Sequence, residues 1–205
     1  MKRSVAIVLV AAVVQAAFGS MQISEWMYSG TSGEFIEFTN IGPAAVDMTG
    51  WSYDDDSQMP GTVDLSAFGV VAPGASVLLV DVTAADFATA WALSGVGIIG
   101  DNLANLGRND QINLYDAGGN LVDQLAYGDQ TYPGTVRTQN KSCNIPATDY
   151  GYTVVQTSWG LAAVGDVYGS WASTGGDIGS PGIAPIPEPA ALTLLACGLL
   201  LARRR

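Results

Sequence analysis

The stretch Gly33-Glu34-Phe35-Ile36-Glu37-Phe38-Thr39-Asn40 decides the fold class, because its apolar and polar side chains alternate. In an extended chain Ile36 and Phe38 lie on one face and Glu37 on the other, which is the period-two pattern of a β-strand. Residues 30–33 before it and 40–43 after it contain the glycine and proline that mark turns. The stretch therefore predicts a short strand, residues 34–39, between two turns.

The same pattern of short strands and turns recurs along the middle of the chain. Further strands are predicted at 22–28, 46–48, 51–53, 76–81, 111–115 and 120–127. Asp116-Ala117-Gly118-Gly119 joins the last two as a hairpin. Repeated short strands predict an all-β protein, an immunoglobulin-like antiparallel β-sandwich. The predicted core comprises Trp26, Phe38, Trp51, Leu79, Ile112, Leu114 and Leu125.

One segment, residues 83–93, departs from the strand pattern. Phe87, Trp91 and Leu93 are spaced as on one side of a helix, and Thr83 is placed to cap its first turn. We expect a short crossing helix that covers an open end of the sandwich.

The N-terminus has the features of a secretory signal peptide. Lys2 and Arg3 precede a short apolar run, and small residues follow it. Ala17 and Gly19 are the small pair before the expected cleavage, so residues 1–19 are predicted to be removed. The apolar run is short for a spanning helix, which needs about 20 residues.

The C-terminus combines three features in order: Pro187-Glu188-Pro189, an uncharged apolar run from Ala190 to Ala202, and Arg203-Arg204-Arg205. Residues 190–205 are predicted to form a membrane helix with an arginine-rich end that stays in the cytoplasm. This arrangement resembles the PEP-CTERM sorting signal of exported Gram-negative proteins. The resemblance implies that an exosortase, a membrane protease, cuts near the motif and transfers the protein to the cell surface or extracellular matrix. Before processing, the tail helix would anchor the protein in the membrane.

The region between the two ends, residues 20–182, is strongly acidic and is followed by a linker, 183–189. The whole chain has 19 acidic and 8 basic residues, but only Arg108, Arg137 and Lys141 among the bases lie in this region. With 18 acids, its net charge is about −15. Such a surface disfavours nucleic acid as a partner. The chain has no histidine, which excludes catalytic triads and histidine-ligated metals, and no cofactor is expected.

Residues 20–182 carry a second resemblance. Ile23-Ser24-Glu25-Trp26, the stretch 33–40 and Thr49-Gly50-Trp51 resemble the start of lamin tail domains, and Ile112-Asn113-Leu114-Tyr115-Asp116 and Gly179-Ser180-Pro181-Gly182 resemble later parts. The resemblance implies an immunoglobulin-like sandwich and a non-catalytic interaction or structural role. Extracellular polysaccharide and matrix proteins are the expected partners.

Two alternatives concern binding. Asp54-Asp55-Asp56 is a candidate calcium site, since Ca²⁺ favours oxygen ligands, although a solvated acidic loop explains it more simply. Asp101, Asn102, Asn105 and Asp110 form a second oxygen-rich stretch that turn formation explains equally well. Stretches 131–134 and 149–152 are the best exposed aromatic candidates for a sugar, with Tyr132 the residue to test.

The remaining hypothesis is a hydrolase that uses two of Glu25, Glu34 and Glu37. Glutamates on the exposed face of strands are the simpler interpretation. Arg108 is expected to pair with Asp110 or Asp123. Cys143 lies in a polar stretch that predicts a loop, and an incidental cysteine is the default interpretation.

Overall fold

The computed structural model describes residues 20–101, 106–146, 149–150 and 157–185. The predicted signal peptide, Pro187-Glu188-Pro189 and the tail through Arg205 lie outside these ranges, as do Asn102, Asn105 and residues 151–152. Among the described residues, no helix has the length and apolar character that a membrane span requires.

The helical elements of this part of the chain are a 3-10 turn at Ser66–Phe68 and α1 (Ala84–Ala90). The strands are β1 (Met21–Met27), β2 (Phe35–Asn40), β3 (Val46–Asp47), β4 (Ser52–Asp54), β5 (Val63–Asp64), β6 (Val70–Val71), β7 (Ser76–Val80), β8 (Gly97–Ile99), β9 (Asp110–Tyr115), β10 (Leu121–Tyr127), β11 (Cys143–Asn144), β12 (Gly160–Leu161), β13 (Trp171–Ala172) and β14 (Ile178–Gly179).

Two main sheets form the predicted sandwich. One has the strand order β12-β11-β1-β2-β7-β8 and the other β10-β9-β4-β5. Trp26 of the first sheet stacks on Tyr127 of the second, with 3.8 Å between ring centroids. The predicted core is confirmed except for Trp51, which is half-buried and packs against the core residues. The hairpin between β9 and β10 is also confirmed, with Gly119 at φ 74° in its turn.

The sheet departs from the antiparallel prediction at one pair, β7 and β8, which run parallel. Helix α1 is the reason, because parallel neighbours need a crossover and α1 lies between these two strands in the chain. Thr83 caps the helix as predicted, and its side chain accepts a hydrogen bond from the amide of Asp86.

The expected position of the helix at an open end of the sandwich is wrong. Phe87 of α1 and Trp91, which directly follows the helix, instead pack with Phe35, Leu78 and neighbouring residues in a second apolar cluster. Phe35 and Leu78 alternate with core residues along β2 and β7, so they lie on the outer face of the six-stranded sheet. Both faces of the sheet centre are therefore covered.

Cys143 corrects another expectation, since it lies in a strand rather than a loop. Strand β11 pairs with β1 and places the Cys143 side chain in the main core. Burial raises the pKa of its thiol well above the ordinary range, and nearby Glu25 raises it further. The thiol is therefore not an activated nucleophile.

Candidate functional site

Two glutamates, Glu25 and Glu37, face each other on the outer face of the six-stranded sheet. They are register partners on β1 and β2, and neither side chain is exposed to solvent. The register of β1 shifts between Ile23 and Glu25, which indicates a β-bulge at Ser24. The bulge lets Ser24 as well as Glu25 reach the side of the sheet on which Glu37 lies.

Hydrogen bonds satisfy both carboxylates within the protein. Glu25 accepts from the hydroxyls of Ser142 and Ser180 and, at 2.8 Å, from the amide of Ser180. Glu37 accepts from the Ser24 hydroxyl at 2.6 Å and from the amide of Gly182 at 2.5 Å. Because each oxygen has an internal donor, burial does not leave the pair unpartnered.

The last described part of the chain closes this site. Residues 178–182, here called the exit segment, supply the Ser180 and Gly182 donors and run across the sheet centre. A β-carbon on Gly179 would lie 3.0 Å from a Glu25 oxygen and 3.2 Å from the Trp91 ring. The segment therefore packs directly on the glutamates, where a larger side chain would displace it.

Burial raises the pKa of both glutamates because it disfavours their charged forms. The negative charge of Glu37 raises the pKa of Glu25 further, and the hydrogen bonds offset part of the effect. No salt bridge to either glutamate occurs within the described residues. Both carboxyl groups are thus hydrogen-bonded by neutral donors. This environment favours retention of a proton by the pair near neutral pH.

The interpretation of these glutamates as exposed strand residues is wrong. Alternation correctly assigned Glu37 to the face opposite Ile36, but that face is covered by α1 and the exit segment. Glu34 lies apart from the pair, where it accepts from the Leu106 amide at 2.8 Å, and burial raises its pKa to about 7. Neither Glu25 nor Glu37 lines the cavities that the described residues form beside Trp159, beside Arg137 and beside Asp86. The arrangement stabilises the fold and does not present two carboxylates to a substrate.

Two further buried acids, Asp123 and Asp177, have roles that the sequence did not indicate. Asp123 accepts from the Ile23 amide at 2.8 Å, and burial raises its pKa to about 7. Asp177 accepts from the amides of Thr31 and Ser32. Burial alone would raise the pKa of Asp177, but these hydrogen bonds outweigh it and lower the pKa. Each acid forms hydrogen bonds to a segment 100 or more residues away in the chain, so no local pattern could reveal these roles.

The candidate calcium ligands do not converge. Asp54 ends strand β4 and accepts from the Ser57 hydroxyl at 2.7 Å and the Met59 amide, while Asp55 accepts from the Ser57 amide. Asp56 is exposed. Within the described residues, no three acidic or cysteine side chains are grouped as a metal would require. Asp54 and Asp55 organise a turn, so the simpler interpretation of a solvated loop is wrong for Asp54, which is buried.

Arg108 is exposed and forms no ion pair with Asp110 or Asp123, contrary to expectation. Those aspartates instead accept backbone amides, Gly107 for Asp110 and Ile23 for Asp123. Within the described part of the chain, the salt bridge joins Arg137 to Asp129 at 2.6 Å. Tyr132 is half-buried, and its hydroxyl accepts from Gln111 at 2.9 Å.

A family model described as Lamin Tail Domain matches residues 14–129, more than half of the chain. The chain belongs to the lamin tail domain family. The immunoglobulin-like sandwich agrees with that family, whose domains are typically interaction or structural modules without catalytic activity. No curated protein matches the chain. The lamin tail match ends just after β10, so β11 to β14 and the exit segment lie beyond it.

Proposed function

We propose that the protein is an exported surface or extracellular-matrix protein, sorted by an exosortase through its C-terminal tail. Its lamin tail domain acts as a non-catalytic structural module. Residues 1–19 direct export, with cleavage after the small pair Ala17 and Gly19. Residues 190–205 hold the chain in the membrane until the Pro187-Glu188-Pro189 motif is processed.

The buried Glu25–Glu37 pair is the observation that supports a non-catalytic role for the domain. Both carboxylates bind the exit segment and both side chains are fully buried, which supports a structural role for these acids. Hydrolysis with two carboxylates would require both groups beside the substrate bond. The site instead secures the end of the domain that leads to the tail.

The position of the exit segment also suits a processed tail. Gly182 is held by Glu37, and only four residues separate Gly182 from Pro187. Because Ser180 and Gly182 are bonded inside the domain, cleavage at the motif would leave the fold intact. The processed protein would keep every hydrogen bond of the pair.

Cell fractionation tests the sorting step with a chain that lacks Arg203, Arg204 and Arg205. We expect most of this variant to leave the envelope and matrix fractions, because the positive charges that fix the tail in the cytoplasm are absent. Immunoblots of cytoplasmic, membrane, surface and medium fractions provide the measurement.

A variant with lysine at all three positions is the matched control, since it keeps the charge and should distribute more like the natural chain. A truncated protein that distributes as the natural chain does would contradict the sorting proposal. The folded domain should be unaffected in either variant, which proteolysis of the exported protein can verify.

A further inference from the structure

Two of the three bases in the acidic region meet at one cavity. Arg108 and Arg137 line a depression of about 300 Å³ together with Tyr28, Thr138 and Gln139. The volume is at the lower end of the range for small-molecule sites. In a region with a net charge of about −15, two guanidinium groups at one cavity form a local site of opposite sign.

Arg137 is built into the wall of this cavity. Its side chain is only 7% exposed, and its guanidinium carbon lies 5.5 Å from the centre of the Tyr28 ring. This distance is that of a cation–π contact, which holds the guanidinium close to the Tyr28 ring. A buried, oriented guanidinium loses less freedom on binding than a mobile surface side chain does.

The hydrogen-bonding capacity of Arg137 is not used up. Nη2 donates to Asp129 at 2.6 Å, while Nε is buried and has no partner among the described residues. A buried guanidinium donor without an acceptor is costly and calls for an explanation. An anionic ligand in the cavity would place negative charge close to this incompletely bonded guanidinium.

We propose that the cavity formed by Tyr28, Arg108, Arg137, Thr138 and Gln139 binds the carboxylate of a uronic acid unit in an acidic saccharide. The planar fork of an arginine matches the two oxygens of a carboxylate. Thr138 and Gln139 offer a hydroxyl and a carboxamide, which suit the hydroxyl groups of a sugar ring.

The charge balance of the cavity favours a ligand with few negative charges. Asp129 neutralises part of Arg137, so the cavity has a small positive excess inside a strongly acidic domain. A long polyanion would be repelled by the rest of the surface, whereas one or two uronate units interact mainly with the cavity at physiological salt. Assignment of a saccharide rests on the proposed function, because export places the cavity among extracellular polymers.

Isothermal titration of the full-length protein in mild detergent with trigalacturonate tests the proposal. We expect saturable binding that weakens about tenfold or more in Arg108→Gln, because a charge-assisted hydrogen bond is removed from the cavity. Arg108 is exposed and outside the ion pair, so this substitution should leave the fold intact. Lys141→Gln removes the same charge outside the cavity and should change affinity by no more than about twofold.

Two further titrations identify what is recognised. The methyl-esterified trisaccharide, which has no carboxylate, should bind at least about tenfold more weakly than trigalacturonate. A triglutamate peptide of equal charge should also bind more weakly, because it lacks the ring hydroxyls. Loss of sorting in the tail experiment would leave these solution titrations unaffected, so the two proposals fail separately.

Three results would overturn the proposal. Trigalacturonate could show no heat of binding up to millimolar concentration, or Lys141→Gln could weaken binding as much as Arg108→Gln. Equal or tighter binding of the peptide would assign the cavity to acidic protein segments instead of saccharides.

Discussion

A chain of residues 20–129 is expected not to fold cooperatively, whereas a chain of residues 20–185 is expected to do so. The shorter chain contains residues 20–129 of the lamin tail match but lacks β11, whose pairing covers one side of β1. It also loses Ile145 and Trp159 from the main core. Removing one buried tryptophan side chain alone costs about 3–5 kcal/mol, against a typical total stability of about 5–15 kcal/mol.

The shorter chain also loses hydrogen bonds at the buried glutamates. Without Ser142, Ser180 and Gly182, Glu25 and Glu37 lose four of their donors, and the outer face of the sheet is uncovered. Urea titration followed by near-ultraviolet circular dichroism measures the difference, with residues 20–185 as the control. A steep, two-state transition in residues 20–129 would show that the later strands are dispensable.

The stability of the domain is expected to fall as the pH rises from about 5 to 8. Burial raises the pKa of Glu25 and that of Glu37 well above the 4.5 of an unfolded chain, and the charge of Glu37 raises the pKa of Glu25 further. Above pH 4.5 the folded state therefore binds more protons than the unfolded state, so raising the pH favours unfolding. Asp123 and Glu34, each with a pKa of about 7, act in the same direction. We expect Tm to fall by on the order of 10 °C across this range.

Acids with lowered pKa values limit the stability of the domain at low pH. Asp54, Asp166 and Asp177 accept several hydrogen bonds each, and these outweigh burial and depress their pKa values below 3.8. Their stabilisation is present above the ordinary aspartate range and is lost as the pH falls through the depressed pKa values. Maximum stability should therefore lie near pH 4–5.

Glu37→Gln separates the buried pair from the other acids. An uncharged amide keeps an acceptor for Gly182, and the hydroxyls of Ser24 and Thr39 can accept its new donors. The variant should melt above the natural protein at pH 8 and show a shallower dependence on pH. Asp56→Asn, at an exposed position, is the matched control and should keep the natural slope. An unchanged slope in Glu37→Gln would mean that Glu37 does not carry the effect.

The strands around residues 33–40 could be predicted because their pattern is local. Alternation placed Ile36 and Phe38 in the core, and β1 and β2 begin and end within one residue of the predicted limits. Thr83 likewise revealed the helix through a local capping interaction. The position of that helix depended on β8, a short strand without a clear apolar pattern, so the parallel crossover was missed.

The site itself could not be predicted from local patterns. A glutamate opposite an apolar face normally faces water. At Glu25 and Glu37, helix α1 and the distant segments at 142–144 and 178–182 cover that face instead. Polar residues around Cys143 suggested a loop, although Ser142 and Asn144 are polar because they bind Glu25. The physical reason for these sequences lies more than 100 residues away in the chain.

Buried Cys143 gives the domain an internal reporter of its own opening. In residues 20–185 it is the sole cysteine, because Cys197 belongs to the tail. A thiol reagent can reach it only after β11 separates from β1, so the labelling rate measures how often that edge of the sheet detaches. The same shielding keeps the domain from forming disulfide-linked dimers in an oxidising medium for as long as it stays closed.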